Sequence, residues 1–183
     1  NLGSTKFCPL FPIDHADPIP PVIAQRFESA HRLLVYSRYA EREVKAYDGG
    51  RYAEKVRYLP HGINTDIFRP CTDEEKRGFR QRLFKDEWSQ DAFIVGMVAA
   101  NKGYPCRKSF PEVMEAFAQF HREHPEARLY LHSHPGVEFQ GPNLQDMATH
   151  FGIQDVTRFA NPVRLLGGSY TDEDMRQVYC SMD

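Results

Sequence analysis

Residues 91–120 read DAFIVGMVAANKGYPCRKSFPEVMEAFAQF, and the fold class follows from them. DAFIVGMVAA, 91–100, is a continuous apolar run of strand length, the kind buried on both faces of a parallel sheet. SFPEVMEAFAQFHREH, 109–124, places Phe110, Val113, Met114, Phe117 and Phe120 at intervals of threes and fours, which predicts an amphipathic helix. Between them lies NKGYPCRKSF, 101–110, with three cations, one glycine and one proline. The unit is therefore strand, polar loop, helix.

The same alternation continues outward. ARLYLH (127–132) and DVTRFA (155–160) read as strands, and NLQDMATHFG (143–152) and TDEDMRQVYCSM (171–182) as helices. The last opens with a capping box, Thr171 and Asp174; upstream, TDEEKRGFRQRLF (72–84) opens with Thr72 and Glu75. Strands alternating with helices predict a parallel sheet with right-handed crossovers, a Rossmann-like α/β layer structure. Before it, residues 17–33 read as a helix entered through prolines and 33–37 as a strand. Residues 38–50 then read as a helix closed by glycines, and 55–59 as a strand. PHGINTDIFRPC, 60–71, is punctuated by Pro and Gly and reads as a linker. The expected organisation is 1–59, a linker 60–71, and 72–183.

Composition excludes several classes. Hydrophobic residues make up 41% and charged residues 26% of the 183, a globular balance. A net charge of −2 argues against a nucleic-acid binder, and the basic loop lacks the interleaved aromatics that stack bases. Cys8, Cys71, Cys106 and Cys180 are scattered without a CxxC pair, which suits a reduced, cytoplasmic setting. No apolar run reaches the length of a membrane span, and the first residues form neither a signal nor a transit peptide. The sequence opens without Met and stops at Asp183 without a terminal signal, and it reads as part of a longer chain.

The loop 101–110 lies where open α/β sheets bind ligands, at the carboxyl end of a strand. It also leads into a helix N-terminus, whose N–H groups and dipole favour anions. Ser109 is expected to cap that helix, with Glu112 closing a capping box. Lys108 directly precedes the cap. Arg107 offers a planar fork for two phosphate oxygens, and Gly96 and Gly103 would permit close backbone approach. The motif is neither a Walker A loop nor GxGxxG. The alternative is an ordinary solvated cationic loop.

Three windows in order then point to a family. YLPHGINTDIFRP (58–70) closely resembles the interdomain linker of GT-B glycosyltransferases, with Pro60, Gly62, Ile63, Asn64, Phe68 and Pro70 in register. Residues 93–120 resemble the first strand, donor loop and helix of that family's C-terminal domain. Residues 170–183 resemble the segment before its signature glutamates. The chain thus resembles a family-4-type (group 1) retaining glycosyltransferase over roughly residues 20–183. The resemblance implies a nucleotide-sugar donor and an acceptor that is a saccharide, a lipid or a protein. It implies no cofactor and no metal, and the sequence carries no DxD motif.

The family's donor loop holds the diphosphate with an Arg and a Lys. Alignment through the helix puts the Lys at Lys108 and the strand glycine at Gly96. The Arg position falls on Met97, so the sequence departs from the family there, and Arg107, Lys102 or Asn101 could supply the second donor. The catalytic glutamate motif would lie past Asp183, and 1–59 would be the end of the acceptor domain. The isolated chain is expected to be inactive. A cytoplasmic protein is implied, with peripheral contact at the inner membrane face left open.

His134 is a candidate donor contact and His15 a candidate on the acceptor side. His132 and His134 are two apart, a metal-capable spacing without a third ligand nearby. His61, His121 and His124 read as structural or exposed, Asp14 and Asp17 as turn or cap residues, and Trp88 as packing. Two other readings stay open: a noncatalytic Rossmann-like binding module, and a nucleotide-sugar epimerase of the same architecture.

Overall fold

The computed structural model describes residues 4–15, 18–85, 88, 90–138 and 140–183. Asp17 lies outside them. The chain forms two compact units, Asn1–Ile63 and Asn64–Asp183; the division falls inside the 60–71 segment.

The first unit holds a parallel sheet of β1 (Leu10–Phe11), β2 (Leu33–Val35) and β3 (Val56–Tyr58), in the order β1-β2-β3. β1 is unanticipated, because Pro9 and Pro12 bracket its two residues; Leu10 and Phe11 pair with Leu34 and Val35. The helix expected over 17–33 is far shorter. α1 spans Pro21–Ala24, followed by a 3-10 turn at Gln25–Phe27. Pro20 and Pro21 set its start, and Ser29 Oγ donates to the Arg26 carbonyl (3.2 Å) as the chain turns away. α2 (Arg38–Ala46) is capped by Ser37, whose side chain accepts from the Ala40 N–H, and ends in a turn at Asp48 and Gly49, both at positive φ. Phe27, Leu33, Val35, Ala40, Val44 and Val56 form the core.

The second unit repeats the plan with better-formed elements. Its parallel sheet has the order β4-β5-β6, with β4 Ile94–Val98, β5 Arg128–His132 and β6 Thr157–Phe159. α3 (Asp73–Phe84) and α7 (Asp172–Ser181) begin with the two predicted capping boxes, each complete. α4 (Phe110–Glu123) buries Phe110, Met114 and Phe117. α5 (Leu144–His150) is capped by Asn143, and a short α6 (Pro162–Leu166) follows β6.

β5, central and almost wholly buried, separates two cores. Leu129 and Leu131 pack with Phe110, Met114 and Leu144 on one face. Tyr130 packs with Phe84, Trp88, Ile94 and Val178 on the other. Coverage on both faces is why β4 and β5 read as apolar runs rather than alternating ones. Asp183 ties the ends of this unit together: its carboxylate pairs with Arg80 and Lys76 and accepts from the Ile94 N–H. Burial alone would raise its carboxyl, but the Ile94 N–H and the two cations outweigh this and hold it below the ordinary aspartate value.

Candidate functional site

The site begins where β4 and β5 end. Val98 and His132 are paired partners, so the strands release their chains side by side at the carboxyl edge of the sheet. Val98, Ala99, Ala100 and Asn101 from one, and His132, Ser133 and His134 from the other, line a cavity of about 310 Å³. Leu165 of α6 completes its wall. The small side chains at 99 and 100 leave this space open.

A second cavity, about 400 Å³, adjoins the first through Ala100. It is lined by Lys102, Gly103, Tyr104, Pro105, Arg107 and Lys108. The loop therefore turns all three of its cations onto one hollow, and all three remain exposed. Gly103, at φ +79°, permits the turn, and a bridge from Lys102 to Gln140 holds the loop. Cys106 packs against the α4/α5 core.

The expected cap of α4 is absent. Ser109 has φ 54°, ψ 39° and makes no side-chain cap bond. An N-cap side chain works from extended backbone, whereas the Ser109 N–H closes a turn onto the Cys106 carbonyl (3.0 Å). That turn takes the left-handed conformation, so Ser109 and Glu112 form no capping box. The first turn of a helix of 14 residues is left without a side-chain cap beside Lys108.

Asn101 is placed differently from its neighbours. It is 2% exposed. Its amide nitrogen donates towards the carbonyls of His134 (3.3 Å), Gly136 (3.2 Å) and Pro142 (2.8 Å), and its backbone N–H donates to Ser133 Oγ (3.1 Å). Its amide thus fastens the loop after β5 to the end of β4. Its Oδ1 is buried without a hydrogen-bond partner and faces Gly141, where a Cβ would come within 2.1 Å.

Gly96 lies in the middle of β4 and lines neither cavity. A Cβ there would lie 1.6 Å from the Met182 Sδ, so the glycine makes room for the Met182 side chain. Met97, where the sequence resemblance expects an arginine, packs against the α4/α5 core. Arg107 shares the second cavity with Lys108 and Lys102.

The histidines are also accounted for. His134 lines the first cavity, and its Nδ1 lies 3.1 Å from the Gly136 N–H and 2.9 Å from Glu138 Oε2. His132 is buried, its Nδ1 3.0 Å from the Tyr130 hydroxyl and its ring edge-on to Tyr170. Burial, then the Arg164 charge, lowers its pKa. Burial likewise pushes the Tyr130 phenol well above its ordinary range. His15 belongs to the first unit, where its carbonyl accepts from the Tyr39 hydroxyl (2.7 Å). Among the described residues, no group of three or more His, Cys, Asp or Glu is arranged to hold a metal ion, and no helix is long and apolar enough to cross a membrane.

No family model matches the sequence, and no curated protein matches it. Solved structures do. The fold is similar to that of Anabaena Alr3699/HepE in complex with UDP, with a TM-score of 0.59 and 16% identity, and to the same protein in complex with UDP and glucose, with a TM-score of 0.57 and 16% identity. Each match covers 95% of this chain, which spans 44% of the length of those chains. At this identity the likeness establishes the fold, an α/β Rossmann-like arrangement of two parallel sheets.

Proposed function

We propose that this chain carries the nucleotide-sugar donor side of a GT-B glycosyltransferase of the retaining, group 1 type. One observation carries the reading. Two adjoining cavities at the carboxyl ends of β4 and β5 combine an uncharged recess with a hollow lined by Lys102, Arg107 and Lys108. A nucleotide sugar has that division, with an uncharged base and ribose and a doubly charged diphosphate. The solved structures of similar fold were obtained with UDP, and with UDP and glucose, which supports a nucleotide sugar as ligand.

In this reading Lys108 and Arg107 grip the diphosphate, Lys102 adds charge, and His134 borders the nucleoside. Asn101 acts on the ligand only through the walls it fastens. Glycosyl transfer builds negative charge on the departing diphosphate, and fixed cations at that point lower the barrier. The catalytic carboxylate of the proposed parent enzyme lies outside these residues. The acceptor, whether saccharide, lipid or protein, would be met by the domain to which residues 1–59 contribute.

Calorimetry on the 183-residue chain tests this. UDP should bind and uridine should bind much more weakly, while Lys108→Ala and Arg107→Ala should each weaken UDP by about tenfold, the scale of one charged hydrogen bond. Equal binding of UDP and uridine, or indifference to both substitutions, would refute the donor site.

A further inference from the structure

Cys71 and Cys180 are 109 residues apart in sequence, yet the Cys71 thiol reaches the Cys180 carbonyl at 3.7 Å and interacts with the Cys180 thiol side chain to side chain. Cys71 directly precedes the Thr72 cap of α3, and Cys180 lies in the last turn of α7. Both are half-buried.

The two segments are held in register independently of the sulfurs. Glu75 of α3 pairs with Arg176 of α7 at 3.0 Å and with Arg69 at 2.9 Å. At the far end, Arg80 and Lys76 of α3 pair with Asp183. The sulfurs thus sit on a clamped helix pair. The Arg69 and Arg176 charges act on this pair, and nearby cations favour a thiolate once it forms. Burial, reinforced by Cys71, pushes the Cys180 thiol up to about 11. Cys180 therefore keeps its proton at neutral pH.

We propose that Cys71 and Cys180 form a hydroperoxide-responsive dithiol site that closes to a disulfide. The Cys71 thiolate attacks one oxygen of the hydroperoxide, the O–O bond breaks, and a sulfenic acid forms as an alcohol, or water, leaves with the proton. The Cys180 sulfur then attacks the Cys71 sulfur, the S–O bond breaks, and water leaves with the Cys180 proton. Two thiols lose two hydrogens and two electrons, and the peroxide is reduced by the same two electrons. The product ties the start of α3 to the end of α7 and encloses the whole of the second sheet in one covalent loop, a restraint on opening of α7.

The test is hydrogen peroxide on the native chain, followed by alkylation and peptide mapping. Two of the four thiols should become unreactive, with the peptides carrying 71 and 180 joined and recoverable by dithiothreitol. A Cys8→Ser/Cys106→Ser variant should behave identically, and denaturation in guanidinium before oxidation should abolish the selectivity. Cys71→Ser and Cys180→Ser should each prevent the link. Separate sulfinic acids at 71 or 180, links that recruit Cys8 or Cys106, or no loss of thiols would each overturn the proposal, and the native mapping does so without relying on any variant to fold.

Discussion

Replacing Asn101 with alanine removes the donor that fastens the loop after β5. Two amide hydrogens serve three carbonyls, and hydrogen bonds of this kind contribute about 1 kcal/mol each, with about 1–3 kcal/mol more for carbonyls left buried without a donor. One term runs the other way. The partnerless Oδ1 disappears with the side chain and returns part of that loss. The net expectation is a destabilisation of about 2–3 kcal/mol. The assay is urea unfolding followed by the fluorescence of Trp88, the single tryptophan, which is buried against Phe84 in the second unit. With a slope of about 1.5 kcal/mol per molar urea, the midpoint should fall by about 1.3–2 M. Asn101→Asp should do at least as much harm at neutral pH, since it turns a carboxylate towards carbonyl oxygens. Amide exchange over 133–142 should rise in both variants. A midpoint within about 0.3 M of the parent, below 0.5 kcal/mol on the same slope, would mean that the three contacts do not fasten the loop.

Three further outcomes follow from the second unit. Gly96→Ala should displace the Met182 side chain and cost about 1–3 kcal/mol as overpacking, without changing UDP affinity; recovery of stability by a second substitution, Met182→Ala, would confirm the contact, and loss of UDP binding alone would refute it. Thr72→Ala and Thr171→Ala should each cost about 1 kcal/mol by loss of an N-cap, read by the same Trp88 transition. The backbone N–H of Thr72, then Arg69 and Arg176, lowers the Glu75 carboxyl from the ordinary 4.5 to about 2. A depressed folded-state pKa stabilises above the unfolded value and fails as pH falls through the folded one. Stability should therefore decline between pH 4.5 and 2, and Glu75→Gln should flatten that decline in acid titrations followed by fluorescence.

Much of the architecture is legible because the second sheet is covered on both faces. That coverage writes β4 and β5 as apolar runs, and the complete capping boxes at Thr72 and Thr171 mark helix starts within a few residues. What escapes reading depends on partners distant in sequence. β1 has two residues between prolines and exists because β2 offers it a ladder. Ser109 has the right identity for a cap, but a turn from Cys106 sets its backbone. Asn101 looks like one more polar loop residue, since its carbonyl partners lie 33 to 41 positions away. Gly96 looks like a strand glycine spared for a ligand, and only the placement of Met182 shows what fills the space. Lys102, Arg107 and Lys108 were legible as cations, but that they share one hollow was not, because this depends on the path of the loop.

The placement of Asp183 has a consequence for how β4 is held. Its N–H donates to the Ile94 carbonyl at 3.0 Å while its carboxylate accepts from the Ile94 N–H, so both outward-facing main-chain groups of Ile94 are taken. An unpaired strand edge is a template on which another chain can add. Here Asp183 satisfies the start of that edge from within the chain, and the Met182 side chain sits against Gly96 beside it. Asp183 thus fixes the first residue of β4 on its outward side, in addition to clamping α3.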